Sequence, residues 1–171
     1  MHLTKPITLL GAVAVSIFPI LSHAEVLPLA IDVSAGTTQV EYKEQKETGI
    51  TWSVNARYQV APMSSIYTGY SETSADLSTA TNPNTTFKSY TIPVGLRFDV
   101  PLIIGDTYLR GGGEYYSLEH GTDSEKGWGY QLGFGYRLGM IVGPSLGFEV
   151  LLSENDDITT TTFSLNGSVA F

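Results

Sequence analysis

The sequence predicts an all-β chain, an eight-stranded antiparallel up-and-down transmembrane β-barrel. Three observations carry this expectation. Apolar and polar residues alternate one by one in segments of roughly ten residues, the length a tilted strand needs to cross a bilayer. Eight such segments can be counted, and the connections between them alternate between short Pro/Gly turns and polar stretches. The chain holds 18 glycines and ten tyrosines but no cysteine. That excludes disulfide staples, a thiolate metal site and a cysteine nucleophile. An exported chain of this size without staples needs a large core or a closed barrel.

The amino end reads as a processing signal. Lys5 supplies a positive n-region, Ile7 to Leu21 is an apolar h-region, and Ser22-His23-Ala24 is a small-x-small cleavage site. Pro19 and the shortness of the run argue against an uncleaved anchor helix. Residues 1–24 are thus expected to be a cleaved signal peptide and residues 25–171 a single barrel domain. No other segment approaches a spanning helix of about 18–20 apolar residues. Losing Lys5 leaves eight basic groups against 17 acidic ones, a formal charge of −9. Such a balance excludes nucleic acid as a partner and argues against simple docking on an anionic surface.

The strands follow in order. The first runs from about Pro28 to Tyr42, with Leu29, Ile31, Val33 and Ala35 on one face and Asp32, Ser34 and Gly36 on the other. In the second, Ile50, Trp52, Val54, Ala56, Tyr58 and Val60 alternate with Thr51, Ser53, Asn55, Arg57 and Gln59. The third, about Ser65 to Ser74, has no clear parity. The fourth sets Tyr90, Ile92, Val94, Leu96, Phe98 and Val100 against Ser89, Thr91, Gly95, Arg97 and Asp99. Its Pro93 cannot donate to a ladder and suggests a bulge. The fifth, about Thr107 to Leu118, is blurred by Gly111-Gly112-Gly113; no helix follows this run to make it a phosphate loop, so it suits bending and close packing in the wall. The sixth has Trp128, Tyr130, Leu132, Phe134, Tyr136 and Leu138 against Gly129, Gln131, Gly133, Gly135, Arg137 and Gly139. The seventh places Leu146, Phe148, Val150 and Leu152 opposite Ser145, Gly147, Glu149 and Ser153.

The eighth strand ends the chain. Phe163, Leu165, Val169 and Phe171 share one face; Thr162, Ser164, Asn166, Ser168 and Ala170 share the other, which carries no charge and is expected to take no part in an interior network. Short connections at Ala61 to Ser64, Pro101 to Asp106 and Ile141 to Pro144 define one rim. Polar ones at Lys43 to Glu47, Glu72 to Phe87, Glu119 to Lys126 and Glu154 to Ile158 define the other. Short turns on the periplasmic side and polar loops outside describe a barrel in a Gram-negative outer membrane.

On the signal peptide, the run Gly127-Trp-Gly-Tyr-Gln-Leu-Gly-Phe-Gly-Tyr-Arg-Leu138, the segment Leu146-Gly-Phe-Glu-Val150 and the aromatic end at Phe171, the mature chain resembles the small eight-stranded outer-membrane barrels of the OmpA, OmpX and opacity-protein type. Opacity-like barrels carry a similar Gly-x-Gly-x-x-Tyr-Arg run followed by an inward Glu. The resemblance implies insertion by the β-barrel assembly machinery, for which Phe163, Leu165, Val169 and Phe171 would be the signal. It also implies contact with outer-membrane lipids and lipopolysaccharide.

The sharpest interior signal is charge. The parities above point Asp32, Arg57, Arg97, Asp99, Arg137 and Glu149 inward, and the register that turns Arg110 and Glu114 inward adds one group of each sign. Unpaired, they would be costly; interlocked, they satisfy one another and plug the barrel. A gated ion path in which pairs exchange partners is the alternative, though eight strands leave room for little more than side chains. The aromatics suggest two girdles, Tyr58, Phe98, Tyr136 and Phe171 toward the periplasm and Trp52, Tyr90, Trp128 and Tyr130 toward the outside. A soluble sandwich with these rings in its core is the competing fold.

The outer connections are acidic, and Asp156 and Asp157 are candidates for weak divalent-cation binding, without any EF-hand spacing. His120, Ser124 and Glu125 share one connection, which raises a lipid A-modifying enzyme as a further alternative. A loop containing Gly121 holds such a triad poorly. The expected activity is accordingly non-enzymatic, with no cofactor and no metal: envelope structure, and contact with host or cell-surface ligands through loops 72–87 and 119–126.

Overall fold

The computed structural model describes residues 28–42, 45–79, 82–120, 123–139, 143–156 and 158–171. The expected signal peptide, Asp157 and the tips of the polar connections, including Gly121, lie outside the described residues, and nothing is described of the His120 side chain. Eight strands form: β1 Leu29–Tyr42, β2 Gln45–Ala61, β3 Ser64–Thr79, β4 Asn82–Pro101, β5 Asp106–His120, β6 Asp123–Gly139, β7 Gly143–Asn155 and β8 Ile158–Ala170. Each is antiparallel to the next, and β8 returns to β1 to close the barrel. No described helix is long and apolar enough to cross a membrane; crossing falls to the strands. The start of β1 and the end of β8 meet at one rim, where the Phe171 N–H donates to the Leu29 carbonyl at 2.9 Å.

The wall is inverted relative to a soluble core. Ile50, Val54, Leu96, Leu132, Phe148 and Leu165 are exposed on its outside, whereas Thr51, Ser53, Asn55, Arg97, Gln131 and Glu149 are buried within. A soluble sandwich is thereby excluded, because its rings and aliphatic chains would be the buried set. From Ile50 to Val60 the outward face is apolar over about 33 Å of strand. At the usual tilt of about 40° that is a band of about 25 Å, the height of a lipid-facing belt.

Three expectations need correction. The polar connections are largely strand. The segment read as loop 72–87 continues the β3–β4 ladder through Asp76↔Thr86 and Leu77↔Thr85 to Thr79↔Asn82. The 119–126 segment pairs Glu119↔Ser124 and His120↔Asp123. Thr and Ser suit a pleated backbone whose ladder is already seeded below, so the hairpins extend past the bilayer. Second, Pro93 makes no bulge. It sits opposite Glu114 in an unbroken β4–β5 register, and its missing N–H shows only as an interruption of the β3–β4 ladder between Thr68↔Val94 and Ser71↔Thr91, with the register kept. Third, β8 joins the interior, as described below. The two strands left without parity are fixed: β3 turns Ser65 and Tyr67 inward, and β5 turns Tyr108, Arg110, Glu114 and Tyr116 inward.

A lumen closed in three tiers

Nearest the rim where Leu29 and Phe171 meet lies a lattice of charge. Arg57 meets Asp32 at 3.2 Å and Asp99 at 4.0 Å; Arg97 meets Asp99 at 2.7 Å and Asp106 at 3.9 Å; Arg137 meets Asp99 at 3.4 Å and Asp106 at 2.8 Å. Five strands contribute, since their facing positions converge on a narrow axis. Asp106, which the sequence pattern places in the Pro101 to Asp106 turn, is the first residue of β5 and pairs directly with Arg137. Ser168 of β8 accepts from Arg57 at 3.5 Å, so the uncharged strand does join this lattice.

Above the lattice runs a belt of aromatic and ionic groups. Arg97 and Arg110 are direct cross-strand neighbours, a pairing of like charges that is unfavourable unless they are held apart. The two diverge. Arg97 turns toward Asp99 and stacks on Tyr108, its guanidinium carbon 3.5 Å from the ring centre. Arg110 turns to Glu149 at 2.5 Å, 5.2 Å from the ring centre of Tyr67. The Tyr108 hydroxyl donates to Glu149 at 2.9 Å and accepts from Asn166 of β8 at 2.8 Å. Glu114, 2 % exposed, stands apart: it accepts from Ser153 and forms no ion pair within 4.0 Å among the described residues, Arg110 acting on it only from farther away.

These inward tyrosines fit because each faces a glycine. Tyr67 is opposite Gly95, Tyr108 opposite Gly135 and Tyr116 opposite Gly127. A Cβ on Gly135 would sit 2.2 Å from the Tyr108 ring, and one on Gly127 would sit 2.5 Å from the Tyr116 hydroxyl. Gly127 and Gly135 of β6 are therefore sockets for rings, while Gly129 and Gly133 make room for the side chains of Asn155 and Arg110.

Between the belt and the third tier the lumen is lined by hydroxyls. Thr162 donates to or accepts from Thr38 at 2.8 Å, Thr38 bonds Thr51, and Thr51 bonds Thr73 at 2.7 Å, one chain across β8, β1, β2 and β3. A cavity of about 40 Å³ lies within this stretch, floored by Arg110 and Glu149, with room for about two or three waters. Over it sits the third tier, an apolar lid of Val40, Ala75, Phe87, Tyr116, Leu118 and Ile158, each at most 6 % exposed. The Tyr116 hydroxyl donates to Asp156, whose backbone lies in the left-handed region at φ 46°.

Aromatic rings stand outside the wall at two levels. Trp52, Tyr70 and Tyr90 form a row with centroids 5.4 and 6.4 Å apart, and Tyr115 meets Trp128 at 5.5 Å. At the other rim Tyr136 packs on Phe148 at 5.8 Å. Among the described residues no three His, Asp or Glu side chains gather as a metal site. Ser124 and Glu125 are exposed on β6.

A closed eight-stranded barrel with an apolar outside, a polar inside and two aromatic levels is a transmembrane barrel of the outer-membrane class. The chain belongs to the outer membrane protein beta-barrel domain family, which matches residues 10–171. It is an outer-membrane protein. Its fold is similar to Neisserial surface protein A, with TM-score 0.73 and 13 % identity over 86 % of this chain and 100 % of that one. It is likewise similar to Ail, the attachment invasion locus protein of Yersinia pestis, solved with the heparin analogue sucrose octasulfate, with TM-score 0.61 and 15 % identity over 84 % and 97 %. The N-terminal barrel domain of Pseudomonas aeruginosa OprF follows at TM-score 0.52 and 8 % identity, over 86 % and 100 %. At these identities the likeness is one of fold. Comparison with curated proteins gives no match.

Proposed function

We propose that this barrel is a non-enzymatic envelope protein with a plugged lumen that presents a protruding β3–β4 hairpin for surface contact. The carrying observation is the pairing beyond the lid. Among the described residues the β2–β3 ladder reaches Gly49↔Ala75 and the β4–β5 ladder reaches Phe87↔His120. From Asp76↔Thr86 to Thr79↔Asn82 the hairpin continues, with no other strand paired to it among the described residues. An unpaired strand edge is a template for another chain.

The partner fits a neutral or basic surface. Glu41, Glu47, Glu72, Glu119, Glu125, Glu154 and Asp156 stand around this rim against Lys46, Lys88 and Lys126 among the described residues. Ail was solved with a sulfated sugar analogue; here the acidic rim disfavours such a ligand. Replacing residues 76–86 by a two-residue turn keeps Ala75 and Phe87 in the lid. It should reduce attachment of expressing bacteria to host cells or matrix, while the barrel still migrates differently in boiled and unboiled SDS samples. Undiminished attachment with an intact barrel refutes the reading.

Two further roles belong to the same proposal. The first 24 residues act as a cleaved export signal, testable by sequencing the mature amino terminus, which should begin at Glu25. Phe163, Leu165, Val169 and Phe171 act as the signal read by the assembly machinery. Deleting Phe171 should lower the assembled fraction in cells more than refolding in detergent.

A further inference from the structure

Among the described residues the lumen within the wall holds five carboxylates, Asp32, Asp99, Asp106, Glu114 and Glu149, against four guanidiniums, Arg57, Arg97, Arg110 and Arg137. Eight of the nine groups are accounted for by ion pairs of 4.0 Å or less. Glu114 is the one left over, and it lines the middle cavity. A surplus negative charge inside a lipid-embedded wall is costly unless a proton or a cation neutralises it.

The surroundings of Glu114 supply oxygen. Ser153 donates to its carboxylate, and the Asn155 side chain also hydrogen-bonds it. Asn155 is 3 % exposed, and its Oδ1 is a buried acceptor without a partner. That atom lies over Gly129, 1.6 Å from where a Cβ would stand, and Gly129 is directly opposite Glu114. Absence of a side chain at 129 thus leaves the space in which the Asn155 amide lies, its NH2 donating to Glu114 and its oxygen over Gly129. Asn55, 6 % exposed, brings a second unpartnered Oδ1 to the cavity wall.

We propose that the lumen binds one small monovalent cation, such as sodium, held by the Glu114 carboxylate and the Asn155 amide oxygen within the hydroxyl-lined cavity. Charge sets the valence. One positive charge brings the lumen to neutrality, whereas a divalent ion would leave an excess and finds only one carboxylate among donors that are otherwise neutral. Hard oxygen donors suit such an ion, and about 40 Å³ leaves room for it with one or two waters. The site stands whatever the outer hairpin touches.

The test is refolding into detergent micelles with sodium chloride, or with choline chloride at equal ionic strength, choline being too large for the cavity. The unfolding equilibrium is then read at each sodium concentration. Wild type should be stabilised by sodium in a saturable way, the unfolding constant falling about tenfold once sodium reaches ten times its Kd. Glu114→Gln should abolish the difference between the two salts. Should Glu114→Gln fail to fold, Asn155→Val, which keeps the carboxylate and removes the amide oxygen, should move saturation to higher sodium. Equal stability of wild type in both salts overturns the proposal, including the case in which stability responds only to acidification and a proton neutralises Glu114. A sodium effect retained unchanged in the variants overturns it as well.

Discussion

Asp99→Asn removes a charge from the centre of the interior lattice while keeping the shape of the side chain. Asp99 accepts from Arg97 at 3.0 and 2.7 Å and from Arg137 at 3.4 Å, with Arg57 at 4.0 Å. Its side chain is 19 % exposed, so solvent screens it only in part. Hydrogen bonds to a charged group are worth about 1.5–3 kcal/mol and neutral ones about 0.5–1.5. The two short contacts from Arg97 therefore lose about 2 kcal/mol together. The substitution also leaves three guanidiniums facing only Asp32 and Asp106, an imbalance that brings the expected loss to about 3 kcal/mol, the lower end for breaking a buried pair. Urea unfolding in micelles, followed by the fluorescence of Trp52 and Trp128, should show the midpoint falling by about 1–3 M with the slope unchanged. Arg97→Gln together with Asp99→Asn should cost less than the sum of the two single changes, with a coupling of about 0.5–3 kcal/mol. A loss below about 0.5 kcal/mol, or strict additivity, refutes the idea that these charges depend on one another.

Gly135→Val would drive a side chain into the Tyr108 ring, whose Cζ lies 2.2 Å from the Cβ position. The expected outcome is a loss of about 3 kcal/mol, seen as a weakened fast-migrating band in unboiled samples, and Tyr108→Ser in the same chain should restore it. Phe87→Ala opens the lid where Phe87 is 3 % exposed. It should cost about 3 kcal/mol and speed hydrogen exchange at the backbone of Thr51 and Thr73.

Much of the wall was legible in the sequence because lipid outside and a polar lumen inside force a strict alternation. In β2 the set Ile50, Trp52, Val54, Ala56, Tyr58, Val60 faces outward without exception. Where both faces carry small polar residues or glycine the rule loses its grip. In β3, inward Ser65 and Gly69 differ little in character from outward Thr68, and in β5 three glycines erase the pattern. The outer hairpins escape the rule for another reason: polar residues suit a loop and a strand standing in water equally. Their signal is a reversal of parity. In β1, outward Ile31, Val33 and Ala35 give way to inward Val40, and in β5 outward Leu109 gives way to inward Tyr116 and Leu118. Below the reversal apolar chains face lipid; above it water lies outside, and they turn in to build the lid. The inward tyrosines had a trace as well, in the glycines of β6, but which ring fills which socket depends on register between strands.

The most direct measurement of the closed lumen is single-channel recording of the purified barrel in a planar bilayer. The charge lattice, the belt of Tyr108, Arg110 and Glu149, and the lid of Phe87, Tyr116 and Leu118 together predict a silent membrane. Discrete, reproducible conductance steps from the wild-type protein would contradict the account, since they require an open aqueous path through all three tiers.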